Sequence, residues 1–330
     1  MLTKRERVTL SISGQTPDRV PVSFWRHFPD IDHDPAALAD AMVDFHRTHD
    51  LDLVKLMPNG MYGTEDFGCQ IGNPDPVTGA KRLVESSVRD ADGLARLPVL
   101  PPGKGARGRE LRCVRAVRRA LGPDVPIIQT VFSPLTTAAK MVTSPGLVEM
   151  LRTHPDSVHR GLETITRTEE AYAAACVQAG ADGIFFATQM AQASVMIQDE
   201  YVRFGRPYDL RVLQAVGTTN RLSIVHVHGI DTFFSLFVDY PTPLLNWHDR
   251  RTPPDLRTGQ IQIPNGAVVG GLDERGILIE GPTSRITADV RGILRLTGSR
   301  RHLLGPGCVL PLSIPASHLT AARSAVEGMR

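Results

Sequence analysis

Four cysteines in 330 residues, with no Cys-x-x-Cys pair among them, exclude a disulfide-stapled scaffold and a paired-thiol zinc knuckle. No stretch approaches the roughly 18 apolar residues of a membrane-spanning helix. The opening "MLTKRERVTLSISG" lacks the apolar core of a secretory signal, so a cytoplasmic location and no membrane partner are expected. There is little net charge: 37 Lys+Arg against 35 Asp+Glu, a balance of +2. Nothing in that balance calls for nucleic acid or an anionic surface. A Walker-type glycine loop, internal repeats and low-complexity tracts are also missing.

What remains is a globular composition, 42% hydrophobic with 22% charged, long enough to bury a large core. Short apolar runs rich in β-branched residues recur at 20–25, 52–57, 126–132, 183–187, 222–228, 243–247, 267–272 and 302–305. Helix-like stretches separate most of them, and the longest is expected to end at Gly180. Eight apolar strands alternating with helices predict parallel strands covered on the outside. A (β/α)8 barrel formed as one domain over 1–330 fits the count, with a doubly wound open sheet as the alternative. The longest departure lies at 58–124, where "NPDPVTGAKRLVESSV" suggests an inserted hairpin after the second strand.

In such a barrel the chemistry sits at the C-terminal ends of the strands. Those ends carry Trp25, Arg26 and His27, then Asn59, Tyr62, Glu65 and Asp66, then Gln189. Further along come His226 and His228, Asn246, Trp247 and His248, Asp273 and Glu274, and Cys308. Residues two apart on a strand face the same way. His226 and His228 in "SIVHVHGID" therefore project together, either as a polar corner of the core or as metal ligands. Cys308, in the Gly/Pro-rich "LLGPGCVLP", reaches the same rim, and imidazole with thiolate is the usual zinc donor set. Tyr62 and Glu65, opening the long insertion, are candidate catalytic groups. Trp25, Arg26, Asn59, Gln189, Trp247 and Asp273 are candidate substrate contacts. Cys113 and Cys176 sit in helical patterns and read as small core residues. The basic run "KGARGRELRCVRAVRR" reads as a solvated helix face, or as a dock for an acidic partner.

Several segments together resemble the uroporphyrinogen decarboxylase superfamily of (β/α)8 barrels, across nearly the whole chain. They are "LTKRERVTLSISGQTPDRVPVSFW", "SPLTTAAKMV", "AGADGIFFA" and "LLGPGCVLPLSIPASHL". The last looks most like the branch containing methylcobamide:coenzyme M methyltransferases. That resemblance implies a zinc held by His226, His228 and Cys308, a corrinoid as methyl donor, a small-molecule acceptor and a corrinoid protein as partner. The middle ligand departs from that branch's pattern, being histidine where the branch has cysteine. Two imidazoles and one thiolate leave the site at +1 rather than neutral, which weakens a bound thiolate as a nucleophile and favours Lewis-acid work or a less demanding transfer.

The resemblance to true decarboxylases is poorer in chemistry. Their arginine-rich motif after the first strand is here "WRHFPD", leaving only Arg26, and their catalytic aspartate corresponds to Asn59. Two alternatives to methyl transfer stand beside it: metal-free decarboxylation of a porphyrinogen or smaller carboxylate, and a non-catalytic corrinoid- or tetrapyrrole-binding barrel.

Overall fold

The computed structural model describes residues 2–217, 222–242 and 244–328. Pro243 of the expected 243–247 strand, Thr218 and Thr219 of the helix-like "PYDLRVLQAVGTT", and the last two residues of the C-terminal helix-like stretch lie outside them.

Seven parallel strands form one curled sheet in the order β1 (Val54–Leu56), β4 (Ile127–Phe132), β5 (Ile184–Thr188), β6 (Ile224–Val227), β7 (Leu244–Trp247), β8 (Ala267–Leu272), β9 (His302–Pro306). Every residue of these seven strands is buried, which is why they read as apolar runs rather than alternating ones. The remaining two, β2 (Gln70–Pro74) and β3 (Lys81–Glu85), pair antiparallel between β1 and β4 in sequence.

Residues 20–25, expected as the first strand, are not a regular strand. They nonetheless stand between β9 and β1 and close the barrel. Ser23 N donates to Leu304 O (2.9 Å), Leu304 N to Pro21 O (2.9 Å) and Asp52 N to Val22 O (2.7 Å). The ladder is broken because Pro21 has no N–H to give and the Val22 N–H is taken by the Asp52 carboxylate at 2.8 Å. That carboxylate also receives Arg7 at 2.8 Å and Arg19 at 2.5 Å. The cluster pins the N-terminal segment at the end of the barrel opposite the strand C-termini.

The helix Pro155–Gln178 stops where the sequence indicates. Gly180 adopts φ +110°, and its N–H returns to Val177 O at 2.9 Å. Cys113 and Cys176 are buried in the core, as their helical patterns suggest.

The basic run corrects the expectation of a merely solvated face. In the helix Gly105–Leu121, Arg112, Arg115 and Arg119 are exposed, but three other arginines point at carboxylates. Arg109 pairs with Glu65 (2.9 Å) and Arg118 with Asp182 (2.5 Å). Arg107 is wholly buried against Glu169 and reaches Asp66 at 3.4 Å. Helical spacing of charge cannot reveal this, because the carboxylates come from other elements. Among the described residues, no helix is long and apolar enough to cross a membrane.

Candidate metal centre

The register of β6 and β7 builds the site. His226 lies opposite Asn246, and side chains level with each other on neighbouring parallel strands face the same way. Asn246 Nδ2 donates to Val269 O (2.8 Å) and Pro306 O (3.1 Å). That fixes the amide, so its Oδ1 accepts from His226 Nδ1 at 2.6 Å. With the Nδ1 proton held there, Nε2 presents its lone pair inward, toward Cys308 Sγ at 3.9 Å.

Two residues on, His228 turns Nδ1 to the same place, 3.5 Å from Cys308 Sγ. His248, just past β7, brings Nε2 to 3.3 Å from His228 Nδ1. One donor atom from each of His226, His228, His248 and Cys308 lies within 4.8 Å of all the others.

The loop carrying Cys308 reaches this close because residue 307 is glycine. A Cβ there would meet His248 Cα and Trp247 O, each at 3.0 Å. Burial, and next the neighbouring imidazoles, hold His226 well below the ordinary histidine range, and burial brings His228 down to about 4. Both are therefore neutral, as metal ligands must be. Burial also lowers His248, but Cys308 and Glu274 outweigh it and leave that imidazole raised.

These donors fit zinc. A tetrahedron with Zn–N near 2.05 Å and Zn–S near 2.3 Å has N···N edges of about 3.3 Å and N···S edges of about 3.6 Å. The His228–His248 edge of 3.3 Å and the Cys308–His228 edge of 3.5 Å match, the Cys308–His226 edge at 3.9 Å is longer, and all four donors lie within 4.8 Å of one another.

Above the cluster opens a cavity of about 280 Å³. Trp25 and Gln189 line it, as do His226, His228 and Cys308. The cavity's cations were not singled out from the sequence: Lys55, Lys140 and Arg275, with Lys81, which is paired with Asp32 at 2.5 Å. No carboxylate lines it among the described residues. Lys55 Nζ contacts the Met57 thioether (2.6 Å) and stands 4.4 Å from the Phe185 ring centroid. Lys140 Nζ lies 4.5 Å from the Phe132 centroid and meets no carboxylate among the described residues. Burial brings Lys55 down to about 7 and Lys140 down to about 8.

The other expected site residues are committed elsewhere. Tyr62 donates its hydroxyl to Thr130 O (2.9 Å) beneath Phe132 and Tyr172, off the cavity wall. Glu65 is engaged by Arg109 (2.9 Å) and by Asn59 Nδ2 (2.8 Å). Neither lines the cavity beside the cluster. Asn59 spends its Oδ1 on Met61 N at 2.9 Å. Trp247 is a core residue, donating Nε1 to Pro254 O at 2.8 Å. Arg26 stacks over Phe28 at 5.4 Å. Asp273 caps a turn and pairs with Arg251 at 2.8 Å.

Comparison with known proteins agrees with this architecture. The chain is 24% identical to the methylcobamide:CoM methyltransferase MtaA of Methanosarcina barkeri, over 97% of this chain and 96% of that one. It is 29% identical to a uroporphyrinogen decarboxylase of Myxococcus xanthus over 73% of this chain and 68% of the relative. A solved methyltransferase from Methanosarcina mazei superposes with a TM-score of 0.86 at 22% identity, covering 98% of both chains, and this likeness speaks for the fold. Because the uroporphyrinogen decarboxylase (URO-D) family description matches residues 3–329, the chain belongs to the uroporphyrinogen decarboxylase family.

Proposed function

We propose that this protein transfers a methyl group from a corrinoid donor, presented by a partner protein, to a small acidic thiol, with zinc held by His226, His228 and Cys308. One observation carries the reading: three metal-type donors converge beside a cavity lined by the buried Lys55 and the part-buried Lys140 and, among the described residues, by no carboxylate. When bound, zinc supplies the Lewis acidity that turns a thiol into a thiolate at neutral pH.

The chain's own residues do the rest. Asn246 keeps His226 in the ligating tautomer. Trp25 and Phe185 wall the cavity against water. Lys55 and Lys140 hold the acid group of the acceptor and so aim its sulfur at the cluster. In the transfer the cobalt–carbon bond breaks with its electron pair staying on cobalt, which falls from Co(III) to Co(I). The sulfur–carbon bond forms, and the thiol proton leaves. The cavity volume, just under the usual ligand range of roughly 300–1000 Å³, suits a small acceptor better than a tetrapyrrole bearing eight carboxylates.

Zinc-replete protein incubated with methylcobalamin and mercaptoacetate should yield S-methylmercaptoacetate and cob(I)alamin. Absence of both products, with stepwise loss of carboxyl groups from uroporphyrinogen instead, would transfer the assignment to decarboxylation.

The lysines supply a second expectation. Their folded-state values lie below the ordinary lysine value, so protonation opposes folding, most fully below about pH 7 for Lys55. Lys55→Met should therefore raise the thermal midpoint, by more at pH 6 than at pH 9. It should also raise KM for mercaptoacetate about tenfold. In wild type, KM should climb as pH passes through 7 to 9 and the ammonium groups are lost. A variant no more stable than wild type and with unchanged KM would remove Lys55 from acceptor binding.

A further inference from the structure

His248 is not among the three ligands that the sequence singles out, yet its Nε2 completes the cluster. We propose that His248 is a fourth, exchangeable protein ligand of the metal site, with Glu274 as its positioning residue; this rests on the zinc reading above.

The geometry is that of a histidine ligand with a carboxylate behind it. His248 Nδ1 lies 3.4 Å from Glu274 Oε1. The other carboxylate oxygen, Oε2, accepts from Gly307 N at 3.2 Å. Glu274 is buried, and no lysine or arginine pairs with it among the described residues. A buried carboxylate needs a positive or proton-donating partner; Glu274 Oε1 is buried without a hydrogen bond, and His248 Nδ1 is the side-chain nitrogen that faces it. That fixes the Nε2 lone pair toward His228 Nδ1, on the 3.3 Å edge that two zinc-bound nitrogens would share. The same carboxylate thus orders His248 and the backbone beside Cys308.

The four are not equivalent. His226 lies on β6 itself and His228 directly follows it, and His226 is locked by Asn246 at 2.6 Å. His248 likewise directly follows its strand, β7, but it is held from behind across a looser 3.4 Å contact than the 2.6 Å one that locks His226. It is therefore the ligand that an acceptor thiol replaces. Its freed Nε2 lone pair takes the thiol proton, and the resulting imidazolium faces Glu274, so the exchange balances in charge and in protons. A site closed by His248 also keeps water off the metal between turnovers.

The test uses full-length protein and readouts independent of turnover: zinc affinity by chelator competition, zinc-edge absorption fine structure, and the visible bands of the cobalt(II)-substituted form. Wild type should show four ligands, three nitrogens and one sulfur. Added mercaptoacetate should give two nitrogens and two sulfurs, still four ligands. His248→Ala should keep zinc but bind it about 10–100-fold more weakly, with altered cobalt bands. Glu274→Gln, nearly isosteric, should weaken zinc about tenfold and serves if the alanine variant does not fold.

Wild-type zinc binding with affinity and cobalt spectra unchanged in both variants would overturn the fourth-ligand assignment and leave the three-ligand site standing. Addition of mercaptoacetate as a fifth ligand would overturn the exchange. Wild type that binds no zinc would overturn the metal reading itself, and this inference with it.

Discussion

Cys308→Ala should lower zinc affinity by at least about 100-fold and methyl transfer with it, while leaving the metal-free protein within about 1 kcal/mol of wild-type stability. The thiolate is the one anionic donor in the cluster, and removing it raises the zinc site from +1 to +2 with neutral ligands only. Loss of a partner behind a metal ligand already costs 10–100-fold in affinity, so loss of the charged ligand itself costs more. The fold should tolerate the change because Cys308 is only half-buried, on the loop after β9, and substitutions away from the packed core have small effects. Equilibrium dialysis against zinc and a urea titration without metal separate the two effects. A variant that binds zinc like wild type would remove Cys308 from the site.

The largest stability effect is expected far from the metal. Arg107→Met should destabilise the protein by about 3–5 kcal/mol, since breaking a buried pair strands the remaining charge. Arg107 and Glu169 face each other with no access to water. Burial would lower the guanidinium, but Glu169 outweighs it and keeps Arg107 raised, while burial pushes the Glu169 carboxyl above its ordinary range.

The pH dependence has a definite sign. In the variant, Glu169 loses its cation, and its folded-state value rises further. Its protonated form is the one the fold accepts, so stability is kept at acid pH and lost as pH rises. The deficit should therefore be larger at pH 8 than at pH 5, measured by urea midpoints. The double variant Arg107→Met with Glu169→Leu should recover most of the loss, because an apolar pair of similar volume satisfies the same space. Equal deficits at both pH values would mean that lost packing dominates, not a stranded charge.

How much of this the sequence disclosed depended on whether the information was local. Strand runs were legible because both faces are buried, and the His-x-His pair because strand alternation is a local rule. Cys308 stood out by the glycines and prolines around it. The eighth barrel position was misread as a regular strand, since the competing acceptor for Val22 N–H is a side chain from residue 52.

His248 was visible as a strand-end residue, but membership of the cluster follows from the pairing of β6 with β7 and from Gly307, which lets the last loop close in. Lys55 was an anomaly in plain sight, a charge inside "DLVKLM", and could have been flagged. Lys140 could not, because which face of its helix meets the cavity is set by packing. Tyr62 and Glu65 looked catalytic as an aromatic and a carboxylate in a loop. Their hydrogen bonds to Thr130 and Arg109, residues far along the chain, are what the loop composition could not show.

The central claim, a zinc centre made by His226, His228 and Cys308, is tested most directly by zinc-edge X-ray absorption on the purified full-length protein loaded with one equivalent of zinc. The spectrum should show tightly bound zinc with a single sulfur neighbour near 2.3 Å and nitrogen neighbours near 2.05 Å, the sulfur vanishing in Cys308→Ala. Zinc surrounded only by oxygen and nitrogen in the wild type, or a sulfur signal that survives in Cys308→Ala, would contradict it.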